Sequence, residues 1–259
     1  DLLQQTLDAN PQLTWVQLPF AGVDAFENVL GYPVRFTSAK GSYREPVAEH
    51  ALMLAMALGR KLADRAKATE WGKKFAVSLY DSNVVIVGGG GITEELLLLL
   101  APFRANITVV RNREIAMAGA TRTVALNHLD QYLADAQFVI LACALTDETR
   151  DLFNAERFKL MQPGAYLVNI ARGPIVNTDD LVEALNNETI AGAALDVTEP
   201  EPLPNGHPLW TAKNILITPH TADTMAQVTH LFSIRLRENV AAYLGNGQWV
   251  GQVDPKLGY

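Results

Sequence analysis

Residues 84–93 read VVIVGGGGIT, and the fold turns on how that stretch is read. Four β-branched apolar residues in succession suit a strand covered on both faces. Four glycines then break the strand, and the apolar run that follows has the length of a helix. A strand that enters a glycine turn and leaves as a helix lets backbone N–H groups and the helix N-terminus approach a pyrophosphate. In this reading Gly88 takes the tight turn, Gly90 marks where phosphate meets backbone, and Gly91 and Ile92 open the helix. The third glycine of such a fingerprint is Thr93 here, so looser packing of helix on strand is expected. Glu94 and Glu95 follow in the first helical turn, where they suit the helix dipole but compete with a bound phosphate. A glycine turn without any ligand is the plainer alternative.

Outward from this loop, short β-branched runs alternate with helical patterns. Strands are expected at 84–87, 107–110, 138–142, 165–169, 192–195 and 215–218, and helices at 94–103, 129–136, 154–160 and 178–186. The alternation, with strands that are apolar throughout, specifies an α/β fold, a Rossmann-type doubly wound parallel sheet. The opening stretch differs, with a helical piece, a strand at 13–18 and a turn at 20–24. It reads as part of another domain, which gives boundaries of 1–47, 48–222 and 223–259, the last carrying a helix at 226–244 that returns toward the opening domain. Residues 48–62, AEHALMLAMALGRKL, form a helix that is apolar on nearly every side. Such a helix is either buried centrally or packs against a second subunit, making a homodimer.

At 259 residues the chain has room for one large or two modest domains. Its 49% hydrophobic and 19% charged residues exclude disorder as the main state. A formal charge of −7 repels phosphate backbones, so nucleic acid and anionic membranes are poor partners. No apolar run approaches the roughly 20 residues a bilayer crossing needs. The single cysteine, Cys143, cannot form an intrachain disulfide, which fits a cytoplasmic protein. The chain opens at Asp1 without a methionine, which leaves a targeting segment ahead of it open.

The choice of nucleotide falls at the end of the next strand. There an acidic residue about 20 residues beyond the glycine loop binds the ribose 2′-OH of NAD, whereas an arginine accommodates the 2′-phosphate of NADP. The place is occupied by Val110-Arg111-Asn112-Arg113, with no carboxylate. Arg111 and Asn112 offer a guanidinium and an amide to a phosphate, so NADP is favoured over NAD. A pair of solvated loop arginines is the alternative.

Three later segments each end a strand with a chemically useful side chain: VNIARG at 168–173, DVTEPEPLP at 196–204 and ITPHTA at 217–222. Open α/β sheets bind ligands at the carboxyl ends of their strands. His50, His128, His207 and His230 lack such partners and read as structural. No His and Cys pair has metal-ligand spacing and no serine sits in a G-x-S-x-G elbow, which sets metal and serine chemistry aside.

Taken in order, LPFAGVD, VAEHALMLAMALGRKL, VVIVGGGGI, LACALTDETRDLFN, NIARGPIV, AALDVTEPEPLP, ILITPH and the closing VDPKLGY resemble the D-isomer-specific 2-hydroxyacid dehydrogenase family over essentially the whole chain. The resemblance implies hydride transfer between NAD(P)H and a small 2-keto acid, as in glyoxylate/hydroxypyruvate reductases. It makes Arg172 the ligand of the substrate carboxylate and carbonyl oxygen, and His220 the acid that protonates that oxygen. Glu201, chosen over Glu199, stabilises the imidazole cation. The resemblance also implies Asp196 for the nicotinamide carboxamide, Cys143, Ala144 and Ile170 for the cofactor wall, and Ala21 and Gly22 for the substrate carboxylate.

The family's flavodoxin-like substrate domain carries further strand and helix units before LTWVQLPFAGVD, so an N-terminally incomplete substrate domain is expected, by nature or by truncation. A shortened lid would leave the site wetter. The competing reading is a catalytically weak, cofactor-sensing binding protein of the same fold. The complete Arg172, Glu201 and His220 set favours the enzyme. The carboxylate at 201 weakens a formate dehydrogenase reading, while a 3-phosphoglycerate dehydrogenase reading stays open.

Overall fold

The computed structural model describes residues 2–255; Asp1 and residues 256–259, the end of VDPKLGY, lie outside them. The chain forms helix α1 (Leu2–Ala9), strands β1 (Trp15–Gln17) and β2 (Arg35–Thr37), then helices α2 (Arg44–Gly59) and α3 (Leu62–Ala66). Strand β3 (Asn83–Val87) leads into α4 (Gly91–Leu100), followed by β4 (Asn106–Val110), β5 (Arg122–Val124), α5 (Asp130–Leu133) and β6 (Phe138–Leu141). Next come α6 (Ala155–Leu160), β7 (Tyr166–Asn169), α7 (Thr178–Asn186), β8 (Gly192–Leu195), β9 (Ile215–Ile217) and the long α8 (Met225–Tyr243). These elements belong to two compact units: Val47–Ala222, and a smaller one from the residues up to Pro46 and from Asp223 onward.

In the larger unit seven parallel strands pair in the order β5-β4-β3-β6-β7-β8-β9. The inner strands β3, β4, β6, β7 and β8 are buried along nearly their whole length, as continuous apolar runs require, and Val85, Val139, Leu167 and Ala193 join one core with Phe153, Phe158 and Leu181 from the covering segments. The order reverses between β3 and β6, so the loops that leave these two strands flank the crevice where such sheets bind ligands. Local signals set the helix starts. Asn154 accepts from the amides of Glu156 and Arg157 to cap α6, and Asn177 accepts from Asp180 to cap α7. In the smaller unit β1 and β2 pair in parallel, and Leu18, Val23, Val29 and Phe36 form its core.

Two readings of the sequence need correction. The helix expected at 48–62 begins earlier, at Arg44, and stops at Gly59; Lys61 then takes a left-handed conformation (φ 48°) before α3. The stop is tertiary in origin. The Gly59 carbonyl accepts from the Val77 amide at 2.7 Å, and a Cβ on Gly59 would lie 2.8 Å from the Val77 carbonyl oxygen. The sheet also gains an edge strand, β5, whose three residues Arg-Thr-Val are too short and too polar to announce a strand. Among the described residues no helix is long and apolar enough to cross a membrane.

Candidate active site

Gly88 leaves β3 with φ 117°, a conformation that favours glycine, and its amide donates to Val110 at 2.7 Å. A Cβ there would lie 2.4 Å from the Ala142 carbonyl oxygen and 2.7 Å from the Cys143 nitrogen, so the glycine loop rests directly on the chain leaving β6. Gly90 caps α4 in an extended conformation with no side-chain capping bond, and no atom lies within 4 Å of where its Cβ would stand. Open space therefore lies beside Gly90, at the N-terminus of α4, where a pyrophosphate would approach the backbone. The looser packing expected from Thr93 does not occur. The residue is fully buried and its hydroxyl donates to the Gly88 carbonyl at 2.9 Å, replacing a close glycine contact with a hydrogen bond. At the end of β4, Arg111 is half-buried and Asn112 exposed.

Beyond β7, the fully buried Asn169 shapes the loop. Its side chain accepts from the Ala171 amide at 3.0 Å and donates to the Arg172 carbonyl at 2.9 Å, while Ile170 is buried against the sheet. Arg172 is extended and its Nη1 donates to the Ala171 carbonyl at 2.8 Å. A Cβ on Gly173 would stand 1.9 Å from the Thr198 carbonyl oxygen, so the arginine loop is pressed against the loop that carries Glu201. That second loop closes on itself, with the Thr198 hydroxyl donating to Pro200 at 2.8 Å and the Thr198 amide to Glu201 Oε2 at 3.4 Å. The other oxygen, Glu201 Oε1, lies 2.7 Å from Nδ1 of His220, which follows β9.

His220 sits at φ 51°, a strained backbone for a non-glycine residue that must be held by its surroundings. Its amide donates to the carbonyls of Asp196 and Thr218 at 2.8 and 3.0 Å. Asp196 Oδ1 accepts from the Thr218 hydroxyl at 2.5 Å and the Thr221 amide at 2.9 Å, and Oδ2 from the Ala222 amide at 3.1 Å. His50 Nε2 joins at 3.0 Å from Thr218 Oγ1 and 3.3 Å from Asp196 Oδ1. Because the Thr218 hydroxyl gives its proton to Asp196, the hydrogen between His50 and Thr218 belongs to the imidazole. Burial pushes the Asp196 carboxyl up, and the bonds from His50, Thr218 and the Thr221 amide outweigh it, holding the group below its ordinary value.

The sheet edge thus gathers Arg172, Asp196, Glu201 and His220 on the ends of the adjacent strands β7, β8 and β9, and Gly88 with Cys143 and Ala144 on β3 and β6. Ala21 and Gly22 lie in the smaller unit, in the loop after β1. His50, which the sequence offers only as a structural histidine, has two partners here, Thr218 and Asp196. Its place at the head of the apolar run HALMLAMALG is the signal in the sequence for a buried hydrogen bond. His207 does cap the turn that follows it, accepting from Leu209 at 3.2 Å.

Sheet order, glycine turn and strand-end residues together define an α/β protein of the dinucleotide-binding class. Residues 50–222 match the model of the D-isomer specific 2-hydroxyacid dehydrogenase, NAD binding domain, and the chain belongs to that family. It is 40% identical over 97% of its length to an uncharacterized protein in the proB 3′ region of Corynebacterium melassecola, covering 86% of that relative. It is 31% identical over 98% of its length to a glyoxylate reductase of Thermofilum pendens, covering 77% of that chain. Among solved structures, a D-isomer specific 2-hydroxyacid dehydrogenase from Xanthobacter autotrophicus Py2, in complex with NADPH and MES, superposes with a TM-score of 0.88 at 31% identity, covering 98% of this chain and 81% of that one.

Proposed function

We propose that the protein reduces a small 2-keto acid, such as glyoxylate or hydroxypyruvate, to the D-2-hydroxy acid with NADPH as the preferred donor. The observation that carries the reading is the His220–Glu201 contact of 2.7 Å at the carboxyl edge of the sheet. Their side chains are 50% and 40% exposed, and an ion pair so exposed adds only about 0–1 kcal/mol to stability, so the pair is better explained by chemistry than by folding. The named activity of the Thermofilum relative and the NADPH in the Xanthobacter structure support the same reading.

When bound, the nicotinamide supplies the hydride. Arg172 engages the substrate carboxylate and carbonyl oxygen through its planar fork, orienting the carbonyl and drawing charge toward its oxygen. His220, held at Nδ1 by Glu201, presents Nε2 and delivers the proton to that oxygen; in the reverse direction it takes the proton back. Glu201 offsets the positive charge of the protonated ring. Gly88 makes the turn, its own amide held by Val110; the amides of Gly90, Gly91 and Ile92 receive the pyrophosphate, Arg111 with Asn112 the 2′-phosphate, and Cys143, Ala144 and Ile170 wall the nucleotide. Asp196 Oδ2 is assigned to the nicotinamide carboxamide, while Oδ1 secures the turn that carries His220.

We further infer a cytoplasmic homodimer formed through the 48–62 segment. Met53 and Met56, one turn apart on α2, are 42% and 44% exposed and Leu62 is 55% exposed, an apolar patch suited to a second copy. The activity is tested by initial rates of nicotinamide absorbance loss with glyoxylate, hydroxypyruvate and phosphohydroxypyruvate, NADPH and NADH side by side. Turnover of the smaller acids with NADPH preferred is expected; turnover of no 2-keto acid would overturn the reading.

A further inference from the structure

We propose that Gly89 is a specificity-determining position, a glycine kept free of a side chain so that Arg111 can lie across the phosphate loop and read the 2′-phosphate of the nucleotide. The proposal rests on the NADP reading above. The three glycines of the turn face three different surroundings. Gly88 has φ 117° and no room beside Ala142, and Gly90 opens on empty space. Gly89 is not among the glycines of positive φ, so its backbone imposes no need for glycine. Yet a Cβ there would stand 2.8 Å from Arg111 Cδ, 2.8 Å from Nε and 3.1 Å from Cζ. The nearest obstacles to a larger residue at 89 are thus the atoms of the arginine side chain itself.

The two backbones cannot draw apart to relieve such a contact. The Gly88 amide donates to Val110 at 2.7 Å and the Arg111 amide to Val124 at 3.0 Å, tying the loop to β4 and β4 to β5. A methyl group at 89 therefore has one way to fit, by turning the Arg111 guanidinium off the loop. That guanidinium stands at the end of the second strand of the fold, where the ribose 2′ position is read. Always charged and planar, it suits a phosphate dianion and has no counterpart interaction with a hydroxyl of comparable strength. Gly89 acts through Arg111 and is a positioning residue.

The test is calorimetric titration of adenosine 2′,5′-bisphosphate and adenosine 5′-monophosphate into the wild type, Gly89→Ala, Arg111→Ala and the double variant, with circular dichroism of each. The wild type is expected to bind the bisphosphate about tenfold or more tightly than the monophosphate, the scale of one charge-assisted hydrogen bond. Gly89→Ala should fold, since a flexible side chain is what stands in its way, and should lose most of that ratio. In the Arg111→Ala background the same change should cost nothing further. An unchanged ratio in Gly89→Ala, an equal loss in both backgrounds, or an unfolded single variant would each overturn the proposal. A wild type that does not distinguish the two nucleotides would overturn it together with the NADP reading, whereas a wild-type preference untouched by Gly89→Ala overturns the proposal alone.

Discussion

Glu201 Oε1 meets His220 Nδ1 at 2.7 Å, across the gap between the loops that follow β8 and β9. The carboxylate engages Nδ1, and in the proposed mechanism the other ring nitrogen, Nε2, meets the substrate. Replacing Glu201 by Gln keeps a hydrogen-bonding group and removes the charge. We expect kcat for glyoxylate reduction to fall about ten- to a hundredfold, less than the roughly 10²–10⁴-fold cost of losing the acid itself, with KM for the keto acid nearly unchanged. Steady-state kinetics check this; a variant with wild-type kcat would remove Glu201 from the chemistry.

Asp196 is the anchor of the strained turn at His220, and it is 2% exposed. Asp196→Asn leaves buried donors facing one another, for a loss of at least about 2 kcal/mol in urea unfolding at neutral pH. The pH dependence follows from the lowered folded-state value. Such a carboxylate contributes fully above its unfolded value of about 3.9, and the contribution is lost as pH falls through the lower folded value. Unfolding curves between pH 7 and pH 3 should show wild type converging on the variant only at the acid end.

Burial pushes the Cys143 thiol up to about 12, so at pH 8 it stays protonated and unreactive. Iodoacetamide should label native protein far more slowly than protein in denaturant. Comparable rates, read by mass spectrometry, would contradict the packing described at the end of β6.

The exposed Met53 and Met56 predict the assembly. Changing both to Glu places charge on the proposed self-contact, and light scattering should then report the monomer mass where the wild type reports twice that mass. A monomeric wild type would end the dimer reading.

The legible and illegible parts of this chain separate by the range of the interactions that set them. The strand–glycine–helix passage at 84–93 and the strand-end Arg172 and His220 were legible because each follows from a local pattern: an apolar run, a turn residue, a polar side chain just beyond a strand. The break at Gly59 was not, because its cause is Val77, far along the chain. The partners of His50 are illegible for the same reason: Asp196 and Thr218 lie just past the distant strands β8 and β9. Thr93 shows a fingerprint position filled by other means, a hydroxyl bonding Gly88 where a glycine was expected.

The central claim, that His220 is the proton donor at the carboxyl edge of the sheet, is tested most directly by comparing wild type and His220→Ala in glyoxylate reduction, with NADPH binding measured on both by fluorescence titration. The account predicts that turnover in the variant falls by about 10²–10⁴-fold while NADPH affinity stays within a factor of about two. Retained turnover in His220→Ala would contradict it.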